Sequence, residues 1–403
     1  MPATPSALAT PPAQGGGAEI LVVLDAGERP LPAASAESAR ARLAARFPGR
    51  PATVLATSGS AGALVDPAGA PGSERGRATG SAAGPALAAA LREADRRAAC
   101  ATVLVSAGAR DETVDWLGLL LDPILDAGFD CVFPAYRRGK LDGLLNVAIL
   151  QPLTRALYGR RLRQPTGREA ALSLRVARAL LADADWRRDP AHAGSGAWLL
   201  AKALSGPFRT CTAWLGPLPE APGEPETASH ALARVVEPVF HEMERHAERW
   251  QRVERSEPVP SFGHAGTLDG APASPDAGEL ADAFRLGLRE LGDLWGLVLP
   301  PAALLAVRRA AAHRGEAFRL GDALWARIVY DFSVAHSLRT VERQQLLRSM
   351  TPLYLGWVAG FVAEVRTLDG PATDARAEAL CQAFEQEKPY AIARWRWPDG
   401  FNP

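Results

Sequence analysis

Arg137, Arg138 and Lys140 stand within four positions of one another, and Asp142 and Asn146 follow them. Guanidinium groups offer forked N–H donors and an ammonium offers a compact charge, so these residues in this order suit the capture of a phosphate or carboxylate. A second basic run, Arg160, Arg161 and Arg163, leads into Gln164-Pro165-Thr166-Gly167, where Pro and Gly predict a tight turn. That turn would present Glu169 towards the same place, and a carboxylate beside a bound hydroxyl can take up its proton. The same composition also suits a solvated basic loop, and spacing alone leaves both readings open.

The elements that must position these groups lie upstream. "EILVVLDAG" (19–27) is a near-continuous apolar run ending in glycine, the pattern of a strand buried on both faces. A Ser-capped helical stretch, "SAESARARLAARF", a short strand, "ATVLAT", and a loop rich in Gly, Ala, Ser and Pro over 58–85 come next. "GPALAAALREADRRAA" predicts a helix, "CATVLVSAG" a third strand, "TVDWLGLLLDPILDAG" a helix and "DCVFPAY" a fourth strand. This alternation, to about residue 136, predicts an α/β fold: a mostly parallel, doubly wound sheet with helices on both faces and a site at the strands' C-terminal ends. The basic cluster begins at that edge.

From about 146 the pattern turns helical. "NVAILQPLTRALYG", "GREAALSLRVARALLADADW" and "HALARVVEPVFHEMERHAERWQRV" predict helices and "FRTCTAWLG" a strand. Further helices are expected at roughly 279–295, 301–313, 322–348, 351–366 and 373–386. The expected organisation is a leader over 1–18, an α/β domain over 19–253, a linker over 254–278 and a helical C-terminal region over 279–403. Lys plus Arg and Asp plus Glu each number 45 in 403 residues, which gives no reason to expect nucleic acid as principal partner. Cys100, Cys131, Cys211 and Cys381 are far apart, form no CxxC pair and read as reduced core thiols. "TPLYLGWVAGFVA" is shorter than the ~18 apolar residues of a spanning helix. The N-terminus lacks the basic and apolar regions of a secretion signal, so a soluble cytoplasmic protein is expected, with its C-terminal helices available for a homo-oligomer.

Other residues are weighed against a structural role. His336 in "YDFSVAHSLR" is the histidine with a candidate site role, set against a hydrogen-bonded core histidine. His241 and His246, five apart on a helix, read as a solvated face. Trp198, Trp214, Trp295, Trp325 and Trp357 read as core, and Trp395 and Trp397 as a tail packed on the sheet. Ser58, Ser60 and Ser106 have no GxSxG frame around them, so they give no support to a hydrolase nucleophile.

The segment 133–173 also carries a resemblance. "YRRGKLDGLLN" and "PLTRALYGRRLRQPTG" resemble the bacterial GT-A-type glycosyltransferases related to mannosylglycerate synthase and glucosyl-3-phosphoglycerate synthase. "VYDFSVAHSLRTVERQQLLRSMTPLYLGWVAGFV" and "FEQEKPYAIARWRW" resemble that group's C-terminal helical region. The resemblance implies a GT-A fold that binds a nucleoside-diphosphate sugar and passes the sugar to a small glycerate-like acceptor, phosphorylated or carboxylated. It implies a DxD carboxylate pair at the end of a central strand and a later His, holding Mg²⁺ or Mn²⁺ on the diphosphate. It places the donor at Asp25, Arg77, Ser106, Gly108 and Asp111. The acceptor falls on Arg137, Arg138, Lys140, Asp142, Asn146, Arg163, Gln164, Thr166 and Gly167, with Glu169 as the catalytic residue at its hydroxyl.

The chain departs from that pattern where the metal would sit. The DxD position falls on Ser106-Ala107-Gly108, the phosphate loop over 76–84 has Arg77 but no lysine, and the metal-binding His falls on Pro219 or Glu220. No metal is expected unless Asp111, Glu220 or His336 rebuilds a site, and without one, cations of the Arg/Lys cluster would have to replace the metal's charge. Two expectations follow: a divergent glycosyltransferase that has lost its donor metal site, or an inactive relative that binds a ligand or partner.

Overall fold

Runs of β-branched residues and leucine build the centre of the sheet. The computed structural model describes residues 19–25, 31, 33–58, 63–65, 83–106, 112–165, 167, 169–188, 193, 195–217, 227–264, 275–315 and 318–398. Strands β1 (Ile20–Asp25), β4 (Ala101–Ser106) and β5 (Cys131–Arg137) are buried on both faces along most of their length, as their apolar runs require. Beside them lie β2 (Ala52–Ser58), β3 (Ala63–Val65), β7 (Ala170–Ser173), β8 (Thr210–Pro217) and β10 (Ser261–Phe262). The order is β10-β8-β5-β7-β4-β1-β2-β3, parallel except for the pairings of β3 and β7.

Alternate residues of β1 serve two cores. Ile20, Val22 and Leu24 pack with α1 (Ala33–Arg46) and α3 (Glu112–Leu125) on one face. Leu21 and Val23 pack with α2 (Ala83–Arg97), α5 (Leu174–Leu181) and α7 (Gly196–Ser205) on the other. The period of two along the strand thus fixes which helix lies on which face. The short α6 (Asp185–Arg188) precedes α7, and its buried Asp185 accepts from the Trp198 indole and pairs with Lys202 and Arg245. Burial opposes ionisation of Asp185, but these partners prevail and hold its carboxyl at about 2.

One expected helix begins later than its sequence suggests. Residues 170–173, read as helical, form β7 instead. Ala171 pairs with Val103 on one side and Val132 on the other. A segment between two central strands satisfies its backbone on both edges and buries its side chains, and this outweighs the helical preference of Ala and Leu. Ser173 then caps α5 by accepting from the Val176 amide.

The second core is helical. A π-turn over Asn146–Leu150 runs into α4 (Gln151–Tyr158), and the displaced Ala148 carbonyl accepts the Trp325 indole N–H at 2.8 Å. Strand β6 (Arg160–Arg161) follows α4 and pairs with β9 (Glu257–Pro258), which comes after the first two of the later helices. Those helices are α8 (Ala228–Arg245), α9 (Ala247–Trp250), α10 (Ala277–Val298), α11 (Pro301–Ala312), α12 (Asp322–Leu338), α13 (Arg343–Val365), α14 (Gly370–Gln386) and α15 (Lys388–Arg396). Leu153 and Leu157 of α4, Phe240 of α8 and Trp295, Trp325 and Trp357 share one buried cluster. Arg155 of α4 is buried and donates to both oxygens of Glu378 and to Glu385 on α14.

Several expectations are corrected. The break between the central helices lies at 339–342, not near 350, because Arg339 adopts a left-handed conformation and Glu342 caps α13 through the Gln344 and Gln345 amides. The α8 face with His241 and His246 is only partly solvated: both histidines are half-buried, and Glu242 between them is buried and lies 3.3 Å from His246 Nε2. Trp395 packs edge-on against Trp250 rather than on the sheet, and Trp397 is exposed. The stretch 254–278 contributes β9 and β10 before leaving the described residues at 265–274, and the leader 1–18 lies outside them. All four cysteines are buried free thiols. Among the described residues, no helix is long and apolar enough to cross a membrane.

Candidate functional site

Antiparallel β7 brings Glu169 to the C-terminal ends of the parallel strands. Ala170 pairs with Leu104 and Ala171 with Val132, so Glu169 enters beside the ends of β4 and β5, where it is buried. Asp25 and Ser106 are register partners at the same ends of β1 and β4. The Thr57 hydroxyl donates to Asp25 Oδ1 at 2.8 Å and fixes that carboxylate across to β2.

The sheet opens here for a local reason. The β5 pairing to β7 ends at Val132, and Pro134, with no N–H to give a ladder, comes two residues later. A β-carbon added to Gly167 would overlap the Pro134 ring, so only glycine lets the backbone at 167 come this close to β5. A proline inside "CVFPAY" was the sequence signal for this opening.

The basic loop leaves from the end of β5. Asp142 accepts the Gly139 amide at 2.7 Å and shapes the 139–143 turn, which Gly143 completes at a φ of 66°. The Arg138 guanidinium occupies the space where a Gly143 β-carbon would stand. Burial pulls the Arg138 pKa down to about 10, with the Asp142 charge opposing, so the group remains a cation at neutral pH. Among the described residues, Nε of Arg137, Nε of Arg138 and Oε1 of Gln164 are buried and have no hydrogen-bond partner. A buried unpaired polar group costs about 1–3 kcal/mol, so these atoms stand to gain from a ligand.

The other predicted acceptor residues are already engaged. Asn146 Nδ2 donates to the Arg163 carbonyl at 2.8 Å. Arg163 bonds both oxygens of Asp374 on α14 and lies over the Trp214 ring, 5.6 Å from its centroid. Lys140 donates to the Leu368 carbonyl. Asp374 and Leu368 had no signal in the sequence, because only the docking of the helical region brings them here, whereas Trp214 is placed by the pairing of β8 with β5.

Arg77, Gly108, Asp111, Thr166 and Glu220 lie outside the described residues, as does the Ser106 side chain. His336 does not join the site. It is buried in the helical core against the Phe240 ring, with its Nδ1 3.9 Å from Glu244. Among the described residues no group of three His, Cys, Asp or Glu side chains is arranged to hold a metal ion. The strand end that would carry paired carboxylates ends in Ser106, so the residues present do not fit a Mg²⁺ or Mn²⁺ site of that kind.

Comparison with known proteins gives no matching family model and no matching curated protein. The chemistry at the edge of the sheet therefore carries the functional reading.

Proposed function

We propose that the chain transfers a sugar from a nucleoside-diphosphate sugar to the hydroxyl of a small phosphorylated or carboxylated acceptor. The observation that carries this is the entry of buried Glu169 into β7, between β4 near its end and β5, the strand whose last residue is Arg137 and whose following loop begins with Arg138. Cations in that loop hold the acceptor's anionic group. Glu169 takes the hydroxyl proton as the oxygen attacks the anomeric carbon. The bond from that carbon to the diphosphate oxygen breaks, and the nucleoside diphosphate departs with the electron pair. Positive charge from Arg137 and Arg138 offsets the charge gathered at this edge. The resemblance of residues 133–173 to GT-A-type enzymes supports the same reading, and so does a parallel sheet with one antiparallel strand in its middle.

A second reading, ligand binding without transfer, is favoured by one observation: β4 ends in a serine followed by Ala107 and Gly108. Calorimetric titration with UDP and GDP, each with and without Mn²⁺, separates the two. Metal-independent nucleotide binding, with sugar transfer lost in Glu169→Gln, supports a cation-based transferase. Metal-dependent micromolar binding assigns the carboxylate role to an acid such as Asp111 or Glu220. Absence of binding under every condition removes the transferase reading.

A further inference from the structure

Arg163 and Lys140, two cations of the loop system that would receive an anion, both spend their charge on the helical region. Their partners come from one short stretch, Leu368 to Asp374, at the α13–α14 turn. Arg163 Nη2 donates to Asp374 Oδ2 at 2.7 Å and Nη1 to Oδ1 at 3.3 Å. This two-pronged arrangement is the one a guanidinium offers to any carboxylate or phosphate. The pair sits within reach of solvent, the Arg163 side chain being 52% and the Asp374 side chain 58% exposed. The guanidinium lies over Trp214, which pairs in register with Ala135 near the end of β5. Through Asn146, which holds the Arg163 carbonyl and whose own amide bonds the Gly143 carbonyl, it is tied to the turn under Arg138.

Asp374 is not needed to hold α14 in place. The helix is capped by Asp369 on the Ala372 amide, clamped by Arg155 through Glu378 and Glu385, and tied to Asp322 through Arg376. We propose that Asp374 is an internal competitor for the anionic ligand. Its carboxylate occupies Arg163 while the site is empty and is displaced when a phosphate or carboxylate binds, which leaves the Lys140 bond to the Leu368 carbonyl to hold the α13–α14 turn to the basic loop. This inference rests on the reading of that loop as the acceptor's anion site.

The probe is inorganic phosphate, titrated calorimetrically into the full chain and its variants at low salt. Asp374→Asn is expected to bind phosphate about threefold more tightly, the range that release of an exposed ion pair permits. The gain is expected to vanish when Arg163→Gln is present in the same chain, because competition acts through that guanidinium. Equal affinity of Asp374→Asn and the parent chain overturns the inference, and so does a gain that persists without Arg163, which would be a through-space charge effect. Arg138→Gln tests the underlying reading separately: it should weaken phosphate binding tenfold or more. If the parent chain binds no phosphate, the anion site itself is refuted.

Discussion

Neither ring nitrogen of His336 has a hydrogen-bond partner among the described residues, and the side chain is fully buried. Burial, together with the positive charges of Arg343, His241 and Arg339, lowers its pKa from 6.5 to about 4. The Glu244 carboxylate, 3.9 Å from Nδ1, would act in the opposite direction, but Arg343 already holds it at 2.6 Å and burial prevails. A base that binds its proton more weakly when folded contributes stability that is fully present above pH 6.5. That stability is lost as the pH falls towards 4. At pH 5 the unfolded chain has gained this proton and the folded chain has not. The loss there is about 1.5 pH units at 1.36 kcal/mol each, or about 2 kcal/mol. That is a large part of a typical folding stability of about 5–15 kcal/mol. His336→Leu removes the titration and two unpaired ring nitrogens. Urea denaturation followed by tryptophan fluorescence at pH 5, 6, 7 and 8 should show the two proteins within about 1 kcal/mol at pH 8. By pH 5 the parent should have lost about 2 kcal/mol more than the variant. Parallel loss in both proteins would falsify the assignment of this proton to His336.

Three further outcomes follow from packing and charge. Gly167→Ala should push the turn off Pro134, weakening phosphate binding and reducing stability by about 1–3 kcal/mol, read from titration and urea midpoints together. Gly287→Ala puts a methyl into the Pro352 ring where α10 meets α13, and a stability loss of about 1–3 kcal/mol is expected with phosphate affinity unchanged. Asp185→Ala leaves Lys202 and Arg245 without their shared carboxylate and should lower stability by about 3 kcal/mol at pH 7, measured by thermal or urea unfolding; a change under 1 kcal/mol would mean that solvent screens the cluster.

The central sheet could be read from the chain because β1, β4 and β5 are continuous apolar runs, and a strand buried on both faces needs nothing else. β7 could not be read this way. Its four residues, Ala170 to Ser173, carry no β-branched side chain, and their conformation is set by two neighbours 40 to 70 residues earlier in the chain. Arg137, Arg138 and Glu169 fall at one edge because a strand end and a turn put them there, and both had local signals: the Arg run after "FPAY" and the Pro-Thr-Gly turn. The engagement of Lys140 and Arg163 by the α13–α14 turn had none, since more than 200 residues separate the partners. The burial of Glu242 between half-exposed His241 and His246 had no signal either, because helical spacing tells which residues share a face, not what the face meets.

The placement of α4 in the helical core bears on how the protein is made. Leu153, Ala156 and Leu157 leave the ribosome before β7 and well before the helices that cover them, the last of which contributes Ala391 to the same cluster. At about 5–20 residues per second, the roughly 230 intervening residues take on the order of 10 to 50 seconds to synthesise. Over that interval the sheet gains β7, β8 and β10 while the apolar face of α4 is still without its full cover. A translational pause shortly after β8 would lengthen the period in which that face stays uncovered.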